Sequence, residues 1–161
     1  MKKMMYLLLN FIFILSSCQF SKGVKKDLTT GLSASYNGFK IEDIYLADAE
    51  GNRLKDNSVT LGDKIMIRVI GVENYSKKDA KVFPGCTIIL TDKNNSKILD
   101  LPDAFSHLEE GTTPIEANTL DAKLSTGNPM VAGETYHLFV RFFDKQKKES
   151  EIISNIDLKM K

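Results

Sequence analysis

The chain has 161 residues, with 22 lysines and arginines against 21 aspartates and glutamates and a formal charge of +1. A surface so close to neutral, with both signs interspersed, argues against nucleic acid or anionic lipid as the main partner. Length and apolar content suffice for one domain with a real core, without disulfide staples.

The first element in chain order is an address. Lys2 and Lys3 form a positive n-region, residues 4–15 are apolar apart from Asn10, and Leu15-Ser16-Ser17-Cys18 follows. Twelve residues at ~1.5 Å each reach about 18 Å, against a hydrocarbon core of roughly 30 Å, so an uncut spanning anchor is disfavoured and a signal peptide over residues 1–17 is predicted. The ending resembles the lipobox of bacterial lipoproteins, in which an aliphatic residue and two small residues precede a cysteine. That resemblance implies cleavage before Cys18 and acylation of its thiol, with palmitate as the typical chain. Two or three acyl chains hold a protein stably where one does so only marginally. Loss of Lys2 and Lys3 would bring the charge from +1 to −1. The residue after Cys18 is Gln19; in enterobacterial lipoproteins aspartate there favours inner-membrane retention, so the resemblance leans towards the outer membrane. The acidic cluster that accompanies surface export in relatives of Bacteroides is missing from Phe20-Ser21-Lys22-Gly23, which favours the periplasmic face over surface exposure.

Residues 18–35 are polar and glycine-punctuated and read as the lipidated cysteine plus a flexible tether. A globular domain is expected over residues 36–161. Within it, Phe39-Lys40-Ile41-Glu42-Asp43-Ile44-Tyr45-Leu46 is strand-like and ends in Asp48-Ala49-Glu50-Gly51-Asn52, which is turn chemistry. A strand over 64–72 places Ile65, Ile67 and Val69 on one side and Arg68 on the other. Residues 82–91 form another, with Pro84-Gly85 suggesting an edge position or a bulge at its start. Asp92-Lys93-Asn94-Asn95 turns the chain into Lys97-Ile98-Leu99-Asp100-Leu101. Residues 102–111 are the one plausible helix, of at most about two turns. Residues 119–125 alternate, with Leu120, Ala122 and Leu124 inward. The last two strands, over 134–143 and 149–158, are joined by a loop at 144–148; Tyr136, Leu138, Val140 and Phe142 share one face.

About seven or eight strands with polar turns and no βαβ alternation predict an all-β fold, an antiparallel immunoglobulin-like β-sandwich; a small barrel or a jelly roll is the alternative. Glu149, Glu151, Asp157 and Lys159 are expected to guard an edge against pairing. The lipobox joined to one such sandwich is similar to the small Ig-like lipoproteins of Bacteroidota. The residues carrying the likeness are Leu15 to Cys18, Thr60-Leu61-Gly62-Asp63-Lys64-Ile65, and Gly133-Glu134-Thr135-Tyr136 leading into an alternating strand and Asp144.

No catalytic constellation emerges, and the chain is read as a non-enzyme without a cofactor. The two histidines, His107 and His137, stand in no metal-ligand spacing, and no nucleophile elbow, Walker or Rossmann glycine run occurs. With Cys18 acylated, Cys86 has no disulfide partner; inside Gly85-Cys86-Thr87-Ile88-Ile89-Leu90 it reads as a small buried hydrophobe. No metal site is assigned. Asp48, Glu50 and Asn52 are the calcium candidates, although any hairpin turn calls for the same residues. The clusters Lys25-Lys26, Lys77-Lys78 and Lys147-Lys148 read as solvated loop charge. Two long irregular segments, 72–81 and 102–118, are where recognition tends to sit, and Tyr75, Phe83 and Phe105 are the candidate ligand-binding residues. The functional expectation is a membrane-anchored module of the cell envelope that binds or assembles with another envelope protein. A glycan-binding accessory lipoprotein of a nutrient-uptake system is the alternative, and an enzyme the remote one.

Overall fold

A computed structural model describes residues 21–161. The expected signal peptide and Cys18 lie outside the described residues. Ten strands follow one another: β1 (Lys22–Lys26), β2 (Ser33–Asn37), β3 (Asp43–Asp48), β4 (Ser58–Val59), β5 (Lys64–Ile70), β6 (Pro84–Thr91), β7 (Lys97–Leu101), β8 (Thr119–Ser125), β9 (Thr135–Asp144) and β10 (Lys147–Met160). They make a seven-stranded sheet in the order β1-β2-β10-β9-β6-β7, with β4 running parallel to the end of β10, and a three-stranded sheet in the order β3-β5-β8. Both sheets have free ends, so neither closes into a barrel. The all-β antiparallel sandwich expected from the sequence is what the chain forms.

Alternation along each strand builds the core, because successive side chains point to opposite faces of a sheet. On the large sheet, register aligns Cys86, Phe142 and Ile152 across β6, β9 and β10, and Leu90, Leu138 and Ile156 farther along. On the small sheet it aligns Ile44, Val69 and Leu120, then Leu46, Ile67 and Ala122. All twelve are buried and belong to one hydrophobic cluster between the two inner faces. Arg68 stands on the outer face of β5 directly opposite Asp121 and donates to its carboxylate from Nε and Nη2, at 2.7 and 2.8 Å.

Two hairpin turns share one construction. Asp48 Oδ1 accepts the N–H groups of Glu50 and Asn52, and Asp92 Oδ1 accepts those of Asn94 and Ser96. Each turn then needs a residue at positive φ, supplied by Gly51 at 90° and Asn95 at 61°. On the outer face, the Phe143 ring lies across Gly85 so closely that no Cβ would fit there.

Five expectations are corrected. The segment expected to be a tether up to Ser35 instead carries β1 and the start of β2, joined by a turn in which Asp27 accepts from Thr29 and Gly31. Weak periodicity hid it, since β1 is an edge strand with little to bury and Ala34 is the one buried residue of β2. The helix expected over 102–111 shrinks to a 3₁₀ turn at Ser106–Leu108. Pro84 begins an interior strand, not an edge: β7 pairs only from Ile88 onward, so the proline lies beyond the ladder that would need its missing N–H. The charges at the C-terminus guard no edge, because β10 is central; Glu151 and Asp157 sit on its outer face, bonded to Arg141 and His137. The closing loop also tightens to Lys145-Gln146 between β9 and β10.

Phe142 and its neighbour Phe143 separate the two faces experimentally. Phe142→Ala should lower unfolding free energy by about 3–5 kcal/mol, the usual cost of emptying a buried aromatic site. Phe143→Ala, on the outer face, should cost clearly less in the same urea titrations.

Candidate functional site

The crossing from the large sheet to the small one runs through residues 102–118, and the structure ties this segment down at several points. Asp103 carries most of the attachment: its carboxylate accepts the N–H groups of Cys86 at 3.0 Å and Phe105 at 2.9 Å and pairs with the Lys145 ammonium at 2.7 Å. The Ala104 N–H donates to the Cys86 carbonyl, and the Thr87 hydroxyl to that of Pro102. Farther on, Val82 and Thr112 exchange both backbone hydrogen bonds at 2.9 Å. The Glu116–Asn118 3₁₀ turn then opens with a reciprocal cap, in which the Thr113 hydroxyl accepts the Glu116 N–H while the Glu116 carboxylate accepts the Thr113 N–H.

Between this segment and β8 lies an open groove of about 530 Å³, within the size range of ligand sites. Pro84, Ala104, Phe105 and Leu108 supply an apolar wall, and Leu120, Asp121 and Lys123 of β8 the other. Leu120 points to the core face of β8 and Lys123 to the outer face, so the groove passes along the strand's edge. That edge is open: among the described residues, β8 pairs only with β5.

The polar groups of the groove differ in what they can still do. Asp121 is neutralised by Arg68, whose guanidinium is pushed further above its ordinary range by that partner. Glu116 is committed to Thr112 and Thr113, which hold it below the usual glutamate range. Among the described residues, Lys123 and His107 make no side-chain hydrogen bond or ion pair, and the His107 ring meets only the edge of Phe105. The site is therefore an apolar trough beside an unpaired strand edge, with one free ammonium and one imidazole on its rims.

Of the three aromatic candidates, Phe105 lines the groove, its ring 6.1 Å from Phe142 and 6.2 Å from His107. Tyr75 does not join it. The Tyr75 ring packs edge-on against Phe39 at 4.9 Å, and its hydroxyl donates to the Ala117 carbonyl at 3.0 Å. Burial, followed by the charge of Asp144, pushes that hydroxyl well above the tyrosine range. Tyr75 lines a separate recess of about 360 Å³ on the other side of the 114–118 turn. Phe83 is half-buried against Gly111. No shared stacking platform joins the three.

Cys86 is fully buried, as read from the sequence, and burial with the nearby Asp103 charge pushes its thiol up to about 12. Such a thiol stays protonated and is no nucleophile near neutral pH. The oxygens of Asp48 are taken up by its own turn, Oδ1 by two backbone N–H groups and Oδ2 by the Asn52 amide, and these bonds hold its carboxyl below the ordinary range. Among the described residues, no three His, Cys, Asp or Glu side chains converge as metal ligands. His137, on the outer face, meets Asp157 and Asn155.

The Thr113-Pro114-Ile115-Glu116 cap escaped the sequence reading although its pattern was present: threonine, then proline, with glutamate three residues after the threonine. Asp103 left no such signal, because its partners Cys86 and Lys145 lie far away in sequence.

Compared with family models and with curated protein sequences, the chain matches none.

Asp103 makes a pH prediction. Burial alone would raise its carboxyl, but Lys145 and the N–H groups of Cys86 and Phe105 outweigh burial and hold it below the ordinary value of 3.8. A depressed carboxylate contributes stability that is fully present above its unfolded pKa and lost as pH falls through the folded one. Asp103→Asn should therefore be less stable than wild type at pH 7, and the gap should close as pH drops below 3.8. Denaturation midpoints across pH 2–7 (roughly the carboxylate range) check both parts; a gap independent of pH contradicts the assignment.

Proposed function

We propose that the chain is a lipid-anchored, non-enzymatic module of the cell envelope that holds an extended segment of a partner protein in the groove between residues 102–118 and β8. The observation carrying this reading is an unpaired strand edge bordering an apolar trough of about 530 Å³. Strand edges bind extended peptides by adding one more strand: backbone groups supply affinity and adjoining pockets supply specificity. Here β8 would take the backbone, and Phe105, Leu108 and Pro84 an apolar side chain. Lys123 favours an acidic residue beside it. The lipobox-like Leu15-Ser16-Ser17-Cys18 supports acylation at Cys18, and with it residence at the outer membrane facing the periplasm.

Two experiments test the two halves. Cys18→Ala should abolish palmitate labelling and either free the domain from the membrane fraction or leave an uncut precursor. A variant that still labels and stays in the membrane refutes the anchor. For the groove, a photo-crosslinking residue at Leu108 should capture a defined envelope protein in living cells, while one at Asn94 in the β6–β7 turn should not. The adduct should disappear with Lys123→Glu and weaken at least several-fold with Phe105→Ala, as for a central interface residue. Adducts equal at both positions, or indifferent to Lys123, contradict the reading.

A further inference from the structure

We infer that the β1 edge of the large sheet rests on the bilayer, with Val24 and Leu28 at headgroup level and Lys22 and Lys26 turned to anionic phosphates. The inference builds on the proposed acylation of Cys18 and adds to it an orientation. Cys18 stands four residues before Lys22, the first residue of β1. Four residues of chain reach at most about 14 Å, well short of the roughly 35 Å breadth of a domain this size. An acylated Cys18 therefore keeps the start of β1 within about 14 Å of the lipid, and β1 is the part of the fold held nearest to it.

The surface there suits that contact. Alternation puts Lys22, Val24 and Lys26 on one face of β1. Val24 is 68% exposed, and Leu28, in the turn that follows, is 91% exposed. Apolar side chains this open, set between lysines, match the interface, where the chain enters the acyl boundary and the ammonium stays among phosphates. Lysine on an edge strand already has a use in blocking pairing with other sheets, but that use calls for no exposed valine or leucine beside it. Lys25, on the opposite face, is occupied, its ammonium bonded to the Glu42 carbonyl at 2.7 Å. Near-neutral overall charge does not oppose this arrangement. The acyl chains supply the hold, and the two lysines only choose which surface lies down.

The test uses the full acylated chain in vesicles of phosphatidylethanolamine and phosphatidylglycerol, with mass spectrometry of Cys18 on the same sample. An environment-sensitive fluorophore is attached through Val24→Cys, Leu28→Cys or Asn94→Cys, the last on the opposite side of the sheet. The expected result is blue-shifted emission, shielded from an aqueous quencher, at positions 24 and 28, with water-like emission at 94. Lys22→Glu with Lys26→Glu should return 24 and 28 to water-like emission while acylation persists. Water-like emission at 24 and 28 in an acylated chain overturns the orientation and leaves the anchor standing. Shielding that persists in dilute detergent together with 24-to-24 crosslinks assigns the edge to a second copy of the chain and also overturns it. An unmodified Cys18 overturns the anchor and the orientation with it.

Discussion

The fold depends on the seam between β9 and β10. These are the two longest strands, paired in register from Thr135 with Lys159 to Phe143 with Glu151. A slip of one residue would send the apolar set of the slipping strand to the outer face, either Leu138, Val140 and Phe142 of β9 or Ile152, Ile156 and Leu158 of β10, so the hydrophobic pattern specifies the register strongly. With that seam fixed, β2 and β6 add on either side, and the small sheet covers the inner face. Polar residues on the same strands are thereby committed to the outside, where Arg141 bonds Glu151 and lies over the Phe143 ring at 4.9 Å.

The seam also determines which surfaces stay free. Because β10 is central, the open edges among the described residues fall to β1 and β7 of the large sheet and to β8 of the small one, where Arg53 and Leu54 partly cover the far side of β3. Two of these edges have features beyond mere exposure. β8 borders an apolar groove, whose far wall is held in place by Asp103 and the Thr113 and Glu116 cap. β1 lies next in sequence to the proposed acylation site and carries exposed apolar residues between lysines. The proposed partners differ: a protein segment for β8 and a lipid surface for β1.

Much of the fold was legible in the sequence because most strands follow a two-residue period. Ile65, Ile67 and Val69, Leu120, Ala122 and Leu124, and the inward face of β9 read directly as core. The turns at Asp48 and Asp92 were legible because aspartate followed by glycine or asparagine has one main local use. What was not legible depends on distant partners. The edge strand β1 buries too little to show periodicity, and the central position of β10 follows from strand order, which local pattern does not encode. At the site, Phe105 was identified as a recognition candidate from its long loop, and the structure places it on the groove wall. Tyr75 was grouped with it by loop length alone, but its hydroxyl reaches Ala117 across 42 positions and takes it to a different recess.

Native-state amide hydrogen exchange tests the central claim most directly: that a β9–β10 seam organises the sandwich and leaves the β8 edge unpaired. The account predicts that Val140, Phe142, Ile152 and Ser154 exchange only through global unfolding. Along β8, amides directed at β5 should be protected while the alternate, outward amides exchange fast in the free protein. Uniform protection along both sides of β8, or rapid exchange within β9 and β10, would contradict it.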